Sequence, residues 1–183
     1  MSKEGFLQII RLDLSRLSQQ SSGEMLVVQY WKIVHPRFFP VLILRLAQQC
    51  QSTLILRPIA ALLTWANLIL FGIEVTPRCR IGGGLFLPHT SGTVIGAASI
   101  GVNATIFQGV TLGAKFADMS YTETTRPVLE EDVVIGAGAK VLGGVNIGRG
   151  ARVAANSLVL VSVPAGATAI GVPAIIKGQH EHD

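Results

Sequence analysis

Aliphatic residues recur every sixth position along most of this chain, and few folds accommodate that beat. They stand at Val75, Ile81 and Leu87, slip by one residue, recur at Val94, Ile100, Ile106 and Leu112, and resume at Leu129, Ile135, Val141, Ile147, Val153 and Val159. Gly, Ala, Asn and Ser fill the places between, and a glycine commonly follows the aliphatic residue, as in Ile100-Gly101 and Ile135-Gly136. A period of six matches neither an amphipathic helix nor the simple alternation of a half-buried strand. It fits a coil with three flat sides, in which each short strand points one aliphatic side chain inward and each corner takes a residue tolerant of positive φ. Stacked coils of this kind make a parallel β-helix. One Ile-Gly pair would read as an ordinary turn; thirteen positions in phase do not.

The rhythm is broken once, by "AKFADMSYTETTR", and these residues, 114–126, are expected to leave the stack as a loop. Loops projecting from a rigid scaffold often carry function. Ahead of the repeats, residues 1–71 read as helical: "FPVLILRLAQQC" and "PIAALLTWANLILFG" combine strong helix formers with a proline near each start, and Gly72 is placed to terminate the second. The expected organisation is a mainly β chain, with a helical region 1–71 capping a solenoid 72–165 and a turn and tail 166–183.

Composition narrows the class further. The 183 residues are 49% hydrophobic and 14% charged, which suits one compact domain and excludes a disordered chain. The run Pro58–Phe71 is shorter than the roughly 20 residues of a bilayer-spanning helix, so a buried or interfacial helix is expected. Membrane-surface contact is not favoured, because neither apolar segment has a lysine-rich polar face. Glu4 and Asp13 stand where a secretory leader needs an apolar core, which points to a cytoplasmic protein. Cys50 and Cys79 fall in no CxxC pattern and read as buried thiols. A net charge of +4 from dispersed lysines and arginines gives nucleic acid no footprint.

The stretches "FGIEVTPRCRIGGGLFLPHTSGTVIG", "QGVTLG", "VVIGAGAKVLGG" and "VPAGATAIGVPA" together resemble the serine acetyltransferases, within the hexapeptide-repeat acyltransferases of the left-handed β-helix. The resemblance runs from about Phe71 to Gly178. It implies a left-handed parallel β-helix, acetyl-CoA as co-substrate, no metal, and a homotrimer with the donor lying between adjacent solenoids; whether trimers pair further is left open.

Residue by residue, the resemblance places His89 on the family's catalytic histidine. The chemistry gives an independent reason for it, since acetyl transfer to an alcohol requires a base for the hydroxyl proton and neutral imidazole is suited to that near pH 7. The family's histidine is oriented by an aspartate fifteen positions earlier, where this chain has Glu74. The carboxylate is kept with one added methylene. Resemblance also assigns Gly113, Ala114, Ala137 and Ala155 to backbone contacts with pantetheine and Arg152 to a phosphate; Lys177, the other cation expected at the cofactor, stands two positions after the family's usual Arg, where this chain has Ile175.

The acceptor side departs from the family. Pro88 replaces an Asp before the histidine, Thr125-Arg126-Pro127 replaces Arg-His-Pro, and the Asp-Pro-Ala signature of the longer N-terminal domain is missing. Arg126, with Thr125 and Tyr121, offers one guanidinium suited to a carboxylate and several hydroxyls, but no group for an ammonium. On that ground a sugar or exopolysaccharide precursor is expected as acceptor ahead of L-serine. A zinc-dependent carbonic anhydrase of similar architecture needs three histidines, and the solenoid holds only His89 before His180 and His182 of the tail. A non-catalytic scaffold is the remaining alternative; pairing His89 with a carboxylate counts against it.

Overall fold

A computed structural model of the chain describes residues 5–22, 35–118 and 120–178; His180 and His182 lie outside them. Three helices come first: α1 (Phe6–Ser22), α2 (Phe39–Gln51) and α3 (Arg57–Phe71). Both α2 and α3 carry proline in the first turn, where a missing N–H leaves no hydrogen bond unmade. α3 stops where its sequence says it should. Gly72 adopts φ 64°, a left-handed conformation that glycine enters without steric cost, and its N–H closes on the Leu68 carbonyl.

The remaining chain forms three sheets. The first contains β1 (Ile73–Val75), β3 (Thr93–Ile95), β6 (Thr111–Gly113), β9 (Lys140–Leu142) and β12 (Leu158–Val159). β2 (Arg80–Ile81), β4 (Ser99–Ile100), β7 (Val128–Leu129) and β10 (Asn146–Ile147) make the second. The third contains β5 (Thr105–Ile106), β8 (Val134–Ile135), β11 (Arg152–Val153), β13 (Thr168–Ile170) and β14 (Ile175–Lys177). Every pairing is parallel except that of β13 with β14. From β3 to β12 successive strands visit the first, second and third sheets in turn, and the isolated bridges Phe86–Thr105 and Val163–Ile147 stand at the places skipped before and after, so residues six apart lie on neighbouring sides and those of successive rounds stack in register.

Register corrects the reading at one position. Twelve of the thirteen beat residues are buried, but Val94 is not one of them: Ile95 pairs with Val75 and Leu112 and points inward in its place. The cause is a longer corner. Seven residues separate Leu87 from Ile95, against five between Ile106 and Leu112, Ile135 and Val141, or Val153 and Val159. His89 stands in that longer corner.

At Gly82, Gly101, Gly136 and Gly148 the glycine after the aliphatic residue also has a different reason from the one expected. Gly101 does not have positive φ; a Cβ there would come within 2.5 Å of the Glu130 carbonyl carbon in the next round. Close backbone approach excludes a side chain. The left-handed residue comes two positions later, at Asn103 with φ 59°.

Helices close one end of the stack. Val41 and Leu44 of α2 belong to the same apolar cluster as Ile73, Val75, Ile81 and Leu87. Burying a side chain of this kind contributes about 1.5–3 kcal/mol. A buried ion pair fastens the helices to the first round: Arg45 Nε donates to Asp13 Oδ2 at 2.9 Å, and its terminal nitrogens reach the carbonyls of Ile81 (2.7 Å) and Gly82 (2.6 Å). Asp13 Oδ1 accepts the Leu85 N–H at 2.9 Å. Burial pushes the Asp13 carboxyl above its ordinary value, against the pull of Arg45.

α3 is not the buried helix that composition allowed. Only Ala60 and Asn67 are buried, while Leu62, Trp65 and Ile69 are 69%, 63% and 73% exposed. With the 3-10 turn Leu54–Leu56 before it, the run Leu54–Phe71 has 18 residues of mean hydropathy 1.8, long and apolar enough to cross a bilayer by length and composition.

The cysteines differ in reactivity. Cys79 is buried, its thiol pushed up to about 12 by desolvation, whereas Cys50 is half-buried. Only thiolate reacts with an aromatic disulfide. Titration of the native protein should therefore give one fast thiol per chain and a second only in denaturant; two fast thiols in the native state would contradict the burial of Cys79.

Candidate active site

The edge between the third and first sheets is built as a backbone ladder. Gly92 N–H donates to the Gly72 carbonyl, Gly109 to Ser91, Gly138 to Gln108 and Asn156 to Ala137, at 2.8–3.0 Å. Small residues allow rounds to stack this closely at a corner. His89, Ala137 and Ala155 therefore share one edge of the three-sided stack, although 66 positions separate the first from the last. The His89 corner is held from below by the end of α3, where Thr90 Oγ1 donates to the Phe71 carbonyl at 2.8 Å.

His89 is exposed at this corner and borders a cavity of about 510 Å³. Leu70, Phe71 and Leu87 form part of its apolar wall, and Thr90, Ser91 and Arg37 supply polar groups beside the imidazole. Glu74 lies one strand away on β1, paired with Val94, and its side chain points outward between buried Ile73 and Val75. Among the described residues no hydrogen bond or ion pair joins Glu74 to His89.

Residues assigned to the acceptor converge, but on each other. Asp118 organises the loop: it accepts from the Ser120 hydroxyl at 2.7 Å, the Thr122 N–H at 2.6 Å and Arg126 Nη2 at 3.2 Å. The Ser120 bond, with those of Thr122 and Arg126, holds its carboxyl well below the usual carboxylate range. Arg126 also donates to the Gly96 carbonyl at 2.9 Å and lies 4.1 Å over the Tyr121 ring. Tyr121 donates to the Ala97 carbonyl, and burial pushes its phenol upward, so it remains a neutral donor. Thr125 Oγ1 bonds the Thr122 carbonyl at 2.8 Å. Arg80 and Glu123 pin the loop's far side to the second sheet at 2.7 Å. Loop 114–126 is thus a closed polar unit on the edge between the first and second sheets, and none of Tyr121, Thr125 or Arg126 lines the cavity at His89.

The positions assigned to the donor divide between places. Gly113 and Ala114 lie at the loop's root on that other edge, and a Cβ at Gly113 would meet nothing within 4 Å. Arg152 and Lys177 both pair with Thr168 across the third sheet, and so stand two strands, roughly 10 Å, apart. Sequence reasoning missed Arg37 and Asp118. Asp118 had a signal, since an aspartate followed by Ser and Thr within four residues is suited to turn bonding. Arg37 had none, because only the packing of the segment before α2 brings it to His89. No group of three or more His, Cys, Asp or Glu suited to a metal occurs among the described residues.

These features are those of a hexapeptide-repeat fold, and residues 126–160 match the bacterial transferase hexapeptide (six repeats) family. A serine acetyltransferase of Bacillus licheniformis is 43% identical over 110 residues, covering 60% of this chain and 50% of the relative. The crystal structure of serine acetyltransferase from Brucella abortus strain S19 superposes with a TM-score of 0.81 at 30% identity, covering 95% of this chain and 69% of that one. A serine acetyltransferase in complex with CoA superposes with a TM-score of 0.80 at 29% identity, covering 96% and 71%. The chain belongs to the serine acetyltransferase family. It spans about half the length of the curated relatives it matches. The sugar acceptor expected from the sequence is corrected by these findings: at about 40% identity the relatives carry the name serine acetyltransferase, and the serine alternative is the one they support. The sugar reading rested on contacts missing at Pro88 and in the loop, and it left out the wall supplied by the N-terminal segment.

Proposed function

We propose that this chain is an acetyl-CoA-dependent serine O-acetyltransferase wound as a left-handed β-helix. The observation that carries it is an exposed histidine in a lengthened corner, beside a cavity and on the same edge as Ala137 and Ala155. Nucleophilic oxygen comes from the serine hydroxyl. His89 removes its proton as that oxygen attacks the thioester carbonyl carbon, and the resulting imidazolium returns a proton to the departing CoA sulfur. The products are O-acetylserine and CoA. Glu74 takes the role of orienting carboxylate, closing on the imidazole when substrates bind; catalytic hydrogen bonds are often long in the empty site and tighten in the complex.

The donor's pantetheine runs along the His89 edge past Ala137 and Ala155, and Arg152 and Lys177 face its phosphates. Gly113, Ala114 and the loop lie on a different edge of the same chain, which supports a homotrimer in which each site is closed by the loop edge of a neighbour. A cytoplasmic setting suits a reaction that draws on acetyl-CoA.

Thiol release from acetyl-CoA should be slow without acceptor, accelerate on adding L-serine and saturate with it. The native Cys50 background is subtracted from a reaction lacking donor. Failure of serine to accelerate release at any concentration would sink the acceptor assignment.

A further inference from the structure

We infer that Arg37 is the residue that selects the acceptor, holding a carboxylate over His89. The inference rests on the serine reading for the identity of that carboxylate, but its evidence is separate. Arg37 and His89 line the same cavity of about 510 Å³, one from the segment that precedes α2 and the other from the lengthened corner. Arg37 is exposed there, and among the described residues its guanidinium has no carboxylate partner; its backbone N–H donates to His35 Nδ1 at 3.2 Å. The guanidiniums of Arg126, Arg80 and Arg45 are engaged instead: Arg126 by Asp118, Gly96 and the Tyr121 ring, Arg80 by Glu123, and Arg45 by Asp13.

Among the described residues no Asp or Glu lines the cavity. A lining whose described residues offer an unpaired guanidinium and two hydroxyl residues favours an anionic group. A guanidinium presents paired N–H donors that match a carboxylate in a fork, and hydrogen bonds to charged groups are stronger than neutral ones. In serine the carboxylate is separated from the reacting hydroxyl by two carbons. Anchoring one end on Arg37 therefore confines the hydroxyl to the neighbourhood of His89. Specificity then comes from the carboxylate end, and the expected acceptor class is a small hydroxy-bearing carboxylate, of which serine is one.

Two measurements on the full chain test this. The first needs no turnover: iodoacetate and iodoacetamide both alkylate imidazole by displacement of iodide, and only iodoacetate carries a carboxylate. Peptide mass analysis should show His89 modified at least tenfold faster by iodoacetate than by iodoacetamide, with the other histidines as internal controls. Arg37→Ala should abolish that preference and Arg37→Lys should restore part of it. The second compares serine with serinamide: Arg37→Ala should raise the KM for serine by about 10- to 100-fold, the span expected for one charge-assisted pair, with KM for acetyl-CoA within twofold and serinamide unaffected. No preference in the wild type, or one that survives Arg37→Ala, overturns the role of Arg37. A wild type that prefers iodoacetate but never acetylates serine removes the serine reading and keeps Arg37 as the anion holder.

Discussion

Replacing His89 with alanine or glutamine is expected to lower kcat by about 10²–10⁴, the range for loss of a positioned general base, while leaving the fold and the affinity for acetyl-CoA nearly unchanged. The structural half follows from exposure: His89 stands in a corner whose hold on the rest of the stack runs through Thr90 Oγ1 and the Gly92 N–H, not through the imidazole. Removing the ring opens no cavity in the core. The kinetic half follows from chemistry, since among the described residues no other titratable side chain except Arg37 lines the cavity, and a guanidinium does not accept a proton at neutral pH. Acetyl-CoA binding by titration and kcat by thiol release would be measured on the same preparation. A His89→Gln enzyme within a fewfold of wild-type kcat would show that the base is elsewhere, and the proposed mechanism would fall with it. Glu74→Gln tests the orienting role separately: it keeps the reach and removes the charge, so a slowed enzyme with unchanged serine KM is expected.

Much of the architecture was legible because a β-helix writes its core at a fixed interval. Leu112, Val141 and Val159 lie in three successive rounds yet stack as partners, and their phase alone specifies the side of the stack they occupy. Helix limits were equally plain, since Pro40, Pro58 and Gly72 act through their own backbones. Phase failed where a corner changed length. Between Leu87 and Ile95 two extra residues shift the inward position from Val94 to Ile95, and nothing in "PHTSGTV" distinguishes seven spacers from five plus a strand. His89 was legible for a different reason, as a polar ring in an otherwise small and aliphatic corner. Arg126 shows the opposite limit: its guanidinium suits a ligand carboxylate as well as it suits Asp118, eight residues back, and only the folded loop decides between them. Arg37 lies 52 positions before His89 with no pattern linking them. Proximity of that kind is made by tertiary packing.

The junction between helices and stack should prove the most sensitive structural point in the chain. Asp13→Asn is expected to destabilise the protein by about 3–5 kcal/mol, the cost of leaving one member of a buried ion pair without its partner. The side chains of Arg45 and Asp13 are 2% and 0% exposed. Asparagine keeps the shape and can still accept the Leu85 N–H through its oxygen, but its amide then presents a donor to the Arg45 guanidinium, which is itself only a donor. The charge on Arg45 remains because its other bonds, to the Ile81 and Gly82 carbonyls, hold it in place. For a chain of this size each kcal/mol moves the thermal midpoint by about 2–4 °C, so a fall of at least 6 °C is expected in a melting experiment at fixed protein concentration. Adding Arg45→Met to Asp13→Asn removes the stranded charge and should recover part of the loss, even though the two carbonyls then lose their donor. An Asp13→Asn protein that melts within 2 °C of wild type would mean that the pair is decoration and that apolar contacts from Val41 and Leu44 hold the helices on the first round, whereas a double variant less stable than the single would mean that the bonds of Arg45 to the Ile81 and Gly82 carbonyls outweigh its stranded charge.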